Sequence, residues 1–404
     1  MNINIDLLLF FVFLSIIVVS LFIRRKHVTV QKIVFPILYL VLYRTNLGLS
    51  AMDNISRRFK KSVKILGYFG IFIGFVGMVV IATMLTINTI SIFSQPDIAQ
   101  PGAQLLLPGS KIPGLPSLSF VYWIIAISSL VFVHELSHGI LARFNKIKVK
   151  SSGVGVLALL IPILPIAFVE PDDREMERSK KSSQLGVLAA GSLANFILAF
   201  LAFLVFSFAL LPAVGSMYES KGLVVASVVE GSPIANEGIK HGELILKVNG
   251  NTVDTPEDFL KALDGLKPNE KVVMQTDKKT HEVIATTSKD DPQKGYLGLF
   301  VQPNEVAVTN DAREKYGSII PPVLRWISGL FLWVYLVNLF VGLFNLLPIS
   351  IPPVATDGTR MFYLGILSVL KKERLVKGIW IVVNVSFVGM LFVNFFPRIL
   401  TIFS

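Results

Sequence analysis

A series of apolar runs, each long enough to cross a lipid bilayer, constrains this chain more than any other feature. They are Leu7 to Ile23, Ile65 to Phe93, Leu118 to Phe144, Leu185 to Leu211, Ile319 to Leu347 and Gly378 to Phe396. At about 1.5 Å of helix rise per residue, each covers most or all of about 30 Å of hydrocarbon. Lipid offers no partner to a backbone N–H or C=O, so these runs must satisfy their own hydrogen bonds as helices. The composition agrees, with 53 % hydrophobic and only 16 % charged residues, far from the balance of a soluble globular protein. The expected architecture is a multi-pass α-helical membrane protein of about six transmembrane helices.

The runs differ in detail. The first is followed by Arg24, Arg25 and Lys26, while Met1 to Asp6 carries no Lys or Arg. That order predicts a retained anchor and not a cleaved secretory signal. Val30 to Tyr43 is apolar but short, and it leads into the basic stretch Arg44 to Lys64, so an interfacial position is expected. Val154 to Val169 is strongly apolar yet contains Gly155, Pro162 and Pro165, which disfavour a spanning helix. A re-entrant membrane segment is expected there. Such backbone is tolerated at membrane depth only when it is buried in protein or lines a wet cavity.

Residues 222–303 change character. They hold 9 Lys and 12 acidic residues, leaving 29 basic and 15 acidic residues elsewhere. Short alternating runs (Leu223 to Val229, Leu244 to Val248), the turn Asn249-Gly250 and the capped start Thr255-Pro256-Glu257-Asp258 predict a small α+β domain. The organisation expected is therefore 1–117, N-terminal membrane helices with a basic cytoplasmic segment; 118–221, a first core half; 222–303, the inserted domain; and 304–404, a second core half. Basic excess beside long apolar spans reads as cytoplasmic flanks facing anionic lipid, and no nucleic-acid partner is expected. Counting spans from Arg24 to Lys64 puts the insert outside the cell membrane and residues 145–183 and 348–377 inside.

With no cysteine and only five histidines, metal chemistry must rest on imidazole and carboxylate. The third long run contains His134-Glu135-Leu136-Ser137-His138. Residues four apart share a helix face, so both imidazoles can reach one ion with Glu135 beside them, the HExxH zinc pattern. Two histidines and a carboxylate buried on an apolar helix without a shared partner would cost several kcal/mol. A catalytic zinc usually takes three protein ligands and a water. Asp357, just after the helix-breaking Pro352-Pro353 and before Gly358, is the outstanding third candidate; its plain alternative is a helix cap. His27, His241 and His281 are expected to be solvated surface groups, and Glu170 and Asp172 structural.

These residues carry a resemblance. HELSHG in a membrane helix, Gly191-Ser192-Leu193-Ala194-Asn195, and Asn345-Leu346-Leu347-Pro348 followed by Asp357-Gly358 resemble the site-2 protease family. The insert, with Gly222-Leu223-Val224-Val225, Gly231-Ser232-Pro233 and Val248-Asn249-Gly250, is similar to PDZ domains. The resemblance implies one catalytic Zn2+ on His134, His138 and Asp357, with Glu135 as general base and Asn195 near the scissile peptide, holding substrate or oxyanion. Helix packing is the alternative for Asn195. It also implies transmembrane protein substrates cut in the bilayer, with an exposed C-terminus or an ectodomain meeting the PDZ-like insert. Two departures stand out: Ser192 replaces the family's proline, and the gap from Pro348 to Asp357 is about four residues longer, with Thr356 where leucine is expected. Rival classes are a transporter or channel using intramembrane His and Asp, and a non-catalytic receptor bearing a PDZ-like domain. Neither requires Glu135 in an HExxH frame.

Overall fold

The computed structural model describes residues 5–23, 28–34, 38–94, 103, 106–110, 112, 115–159, 161–288, 291–351 and 354–396. Arg24, Arg25, Lys26, His27 and the Pro352-Pro353 pair lie outside them. The chain divides into two compact units, the first of Met1–Gly109, Leu118–Leu204 and Leu330–Ser404, the second of Ser110–Ser117 and Val205–Gly329.

The first unit opens with α1 (Ile5–Ile23), β1 (Val28–Val34), β2 (Leu38–Thr45), α2 (Leu49–Arg58), α3 (Lys60–Ser94) and α4 (Phe120–Phe144). It continues with β3 (Val149–Leu159), β4 (Ile161–Pro171), α5 (Asp173–Arg178) and α6 (Lys181–Val205). A π-helical turn, Phe206–Leu210, joins α6 to α7 (Leu211–Gly215). The second unit supplies β5 (Tyr218–Val228), α8 (Pro233–Asn236), β6 (Leu244–Val248), β7 (Asn251–Thr252), α9 (Pro256–Ala262), β8 (Lys271–Thr276) and β9 (Thr280–Ile284). Then come β10 (Thr286–Thr287), β11 (Gly295–Tyr296), β12 (Leu299–Val308) and α10 (Asn310–Tyr316). After α11 (Ile320–Phe344) the chain closes with β13 (Ser350–Ile351), β14 (Val354–Ala355), α12 (Asp357–Leu370) and α13 (Glu373–Phe395).

Among the described residues five helices are long and apolar enough to cross a membrane: α3, α4, α6 with its continuation to Gly215, α11 and α13. The sixth expected span, α1, is helical and apolar but shorter. Small residues let the long helices meet closely. On α3, a Cβ at Gly74 would lie 2.6 Å from Met361 Cε, and one at Gly77 would lie 2.6 Å from Leu346 Cδ1. Those glycines seat α3 against α12 and the segment that precedes it. At the far end of α3, Asn88 Nδ2 donates to Asn394 Oδ1 (2.6 Å) and Asn394 Nδ2 to Thr89 Oγ1 (2.7 Å), tying α3 to α13.

The apolar segments that are not helical form one antiparallel sheet, ordered β1-β2-β3-β4. Its strands β3 and β4 hold the described residues of Val154 to Val169, the segment expected to re-enter the membrane. Val30 to Tyr43, expected only to lie at an interface, supplies β1 and β2. The prolines explain the order. Pro162, Pro165 and Pro171 all fall on β4, an edge strand, where a missing N–H costs no ladder bond. Gly153 and Gly155 fall on β3, where a Cβ would strike the Tyr43 and Val41 carbonyls of β2.

The second unit is built around a sheet ordered β12-β5-β6-β8-β9, with β7 paired to β6. Alternate residues of these strands, including Leu223, Val225, Ile245, Met274 and Val283, form its core with Ile234 and Phe259. The expected capping box at Thr255 is present, with Asp258 N–H donating to Thr255 Oγ1 and Thr255 N–H to Asp258 Oδ2. Asn249 and Gly250 both have positive φ, 50° and 84°, as a two-residue type I′ hairpin turn requires.

His281 corrects the expectation of a solvated group. It is buried, its Nε2 3.1 Å from Glu243 Oε1 and its Nδ1 3.2 Å from the Glu237 carbonyl. It lies on β9 two residues before Val283, on the same buried face, where Glu237 and Glu243 receive its ring. Burial pushes the Glu243 carboxyl up, but Thr276, the Lys240 amide, His281 and the Lys278 charge together hold it below the usual carboxylate range. His241 is exposed, with Nδ1 2.8 Å from the Ala226 carbonyl.

Candidate metal centre

The centre lies in the first unit and draws on α4, α6, the start of α12 and the edge strand β4. On α4, His134 and His138 are one turn apart, with ring centroids 4.7 Å from each other. Both Nε2 atoms lie 3.3 Å from Asp357 Oδ2. One candidate ligand atom from each of the three residues falls within 4.8 Å of the other two. Their side chains are 10 %, 12 % and 19 % exposed, enclosed without being sealed.

Those separations test whether the residues fit a metal. Four ligands placed tetrahedrally at the zinc distance of about 2.0–2.1 Å stand about 3.3 Å apart. Both imidazole–carboxylate separations match that spacing, and two imidazoles with a carboxylate are a donor set that suits zinc.

The surroundings hold each ring. His138 Nδ1 is 2.7 Å from the Val187 carbonyl; a carbonyl only accepts, so Nδ1 carries the proton and Nε2 offers its lone pair towards Asp357. His134 Nδ1 lies 3.0 Å from Asn195 Nδ2 on the same helix, α6. Between Val187 and Asn195, Gly191 leaves room for the rings. A Cβ there would be 2.5 Å from His138 Nε2 and 2.6 Å from His134 Nε2.

Asp357 is the first residue of α12, whose N-cap is Thr356. Thr356 Oγ1 accepts from Thr359 N–H and lies 3.1 Å from the Ile349 carbonyl, while Thr356 N–H donates to the same carbonyl. Gly358 N–H donates to the Asn345 carbonyl at 2.9 Å, and its Cα is packed too tightly on the Leu346 backbone to admit a Cβ. Before Thr356 the chain pairs β13 with β14, Ser350 opposite Ala355 and Ile351 opposite Val354. Threonine at 356 supplies the cap.

Glu135 Oε2 accepts from Val169 N–H at 2.8 Å. The carboxylate beside the candidate ligands is thus held by the outward edge of β4. Sequence alone does not show this partner, because it is a backbone group; nor does it show the Val187 carbonyl, though Val187 stands one helical turn before Gly191. Glu170 pairs with Arg44 and Ser151, and Asp172 caps α5 and pairs with Lys150. Both are structural, as expected.

The model of Peptidase family M50 matches residues 122–393, a stretch that contains every residue of this centre. The chain belongs to Peptidase family M50. This is the family of the site-2 proteases, and with five bilayer-length apolar helices this M50 chain is a membrane protein. Over 250 residues it is 30 % identical to an uncharacterised protein of Methanocaldococcus jannaschii, covering 60 % of this chain and 56 % of that protein. Over 169 residues it is 30 % identical to a Clostridium perfringens protein named, by inference, a zinc metalloprotease, covering 37 % and 48 %. A Clostridium acetobutylicum protein of the same description is 30 % identical over 162 residues, covering 35 % and 45 %. The matches span about half the length of these relatives.

Proposed function

We propose that this M50 chain is an intramembrane zinc metalloprotease that hydrolyses a peptide bond in or near a transmembrane segment of other membrane proteins. The observation that carries the reading is the convergence of His134 and His138, on the bilayer-length helix α4, with Asp357 at the start of α12, Glu135 standing beside them. A bound zinc would polarise the scissile carbonyl and acidify its water. Glu135 is placed to take a proton from that water and deliver it to the leaving amine. The Val169 N–H fixes the carboxylate for this work.

A helical substrate hides its carbonyls in its own hydrogen bonds, so the target must unwind. The edge of β4 can receive it as an added strand. Val169 turns its N–H outward to Glu135, and by the period of two Ala167 presents its N–H and C=O on the same edge. Substrate backbone paired there would be drawn towards the base. In cells, membranes carrying Glu135→Gln are expected to accumulate full-length membrane proteins that the wild type removes, read by quantitative proteomics. Identical profiles would count against the protease reading.

The reading places the chain in the cell membrane, in regulated intramembrane proteolysis, with residues 222–303 as an extracytoplasmic PDZ-like domain contacting a substrate's ectodomain or a newly exposed C-terminus. The Gly222 to Val225 strand is not free for capture. β5 is paired on both sides, and Gly222 N–H is engaged by Asp254 Oδ1 at 2.8 Å. Any added peptide strand would use an edge of this sheet, β12 or β9, instead. Cysteines engineered into residues 222–303 are expected to react with an impermeant maleimide in intact cells, against a background without natural cysteines. Labelling only after lysis would invert the topology.

A further inference from the structure

The two histidines are held in chemically different ways. His138 faces a carbonyl, which fixes one tautomer. His134 faces a carboxamide, which has a donor end and an acceptor end of nearly the same shape. Asn195 is fully buried, its Nδ2 lies 3.0 Å from His134 Nδ1, and its Oδ1 has no hydrogen-bond partner in the structure. The two ends are so alike that the ring's own proton decides which of them it meets. Coordination through Nε2 leaves the proton on Nδ1, and the amide oxygen is then its partner.

We propose that Asn195 is a positioning residue for His134, its amide oxygen accepting from Nδ1–H so that Nε2 is left to hold the metal. Asn195 then acts on the metal through His134 and not on the substrate. The inference rests on the zinc reading of the centre.

The test compares zinc affinity of the purified full chain in detergent, by competition with a chelator of known affinity, for wild type, Asn195→Leu and Asn195→Asp. The leucine variant lacks an acceptor and is expected to bind zinc about 10–100-fold more weakly, the usual effect of losing a ligand's outer partner. The aspartate variant keeps an acceptor of the same size and is expected to bind at least as tightly as wild type. Leucine without effect would overturn the proposal, and so would aspartate as weak as leucine, since a donor would then be what matters. If Asn195→Leu does not fold, judged by metal-free melting, Asn195→Asp alone decides. Undiminished affinity supports the proposal, and a tenfold loss overturns it. A role on the substrate oxyanion predicts lost turnover in Asn195→Asp and unchanged zinc affinity in Asn195→Leu, and that pairing also overturns it. Wild type that takes up no zinc would overturn both this inference and the zinc reading beneath it.

Discussion

Glu135→Gln is expected to bind one zinc per chain and to show no measurable hydrolysis, whereas His134→Ala, His138→Ala and Asp357→Ala are expected to lose the metal. The contrast follows from what each side chain touches. A glutamine at 135 keeps an oxygen that can accept from Val169 N–H, so the tie between α4 and β4 survives and the ligand geometry is undisturbed. It has no basic oxygen to take a proton from water, and loss of a general base costs about 10²–10⁴ in rate. Removing Asp357 takes away the atom that stands 3.3 Å from both imidazoles and leaves two ligands for an ion that requires three. Metal content by elemental analysis and cleavage of a transmembrane substrate, measured on the same preparations, separate the classes. Full zinc and full activity in Asp357→Ala would mean that another residue is the third ligand.

The parts of this arrangement that could be read in the sequence are those written in side-chain identity and period. Two histidines four apart, a proline-interrupted apolar run and an Asp-Gly after a helix break each constrain local geometry strongly. The capping box at Thr255 and the Asn249-Gly250 turn are legible for the same reason. Other features are set by which backbones meet, and sequence carries little trace of that. Val30 to Tyr43 becomes sheet because β3 has glycines that accept a neighbouring backbone. His281 finds its partners in Glu237 and Glu243 of a separate segment, and Glu135 is oriented by an amide of another. Pro162 and Pro165 speak against a spanning helix at β4, but its place at the edge of the sheet is set by its pairing with β3 alone. Asn195 was visible as a polar residue on an apolar helix, but its partner, His134, is a matter of how α4 and α6 pack.

Gly191→Ala is expected to weaken zinc binding at least tenfold and to abolish cleavage, while Gly186→Ala, the same change five residues earlier on α6, is expected to be tolerated. An added methyl at 186 meets nothing closer than the Gly67 carbonyl at 3.7 Å, an ordinary contact, and alanine is the better helix former by about 1 kcal/mol. At 191 the methyl would stand 2.5 Å from His138 Nε2 and from His134 Cε1, so something must move. The rings are poorly free to retreat. His138 is tethered to the Val187 carbonyl and His134 to Asn195, both on the helix that would carry the new methyl. Moving either ring breaks a hydrogen bond that orients it, and losing such a bond typically lowers metal affinity about 10–100-fold. The loss at 191 is thus expected in zinc affinity by chelator competition, with metal-free melting close to wild type for both variants. A Gly191→Ala protein that holds zinc as tightly as wild type would mean that the two imidazoles do not pack against α6 as described, and the ligand geometry built on that packing would fall with it.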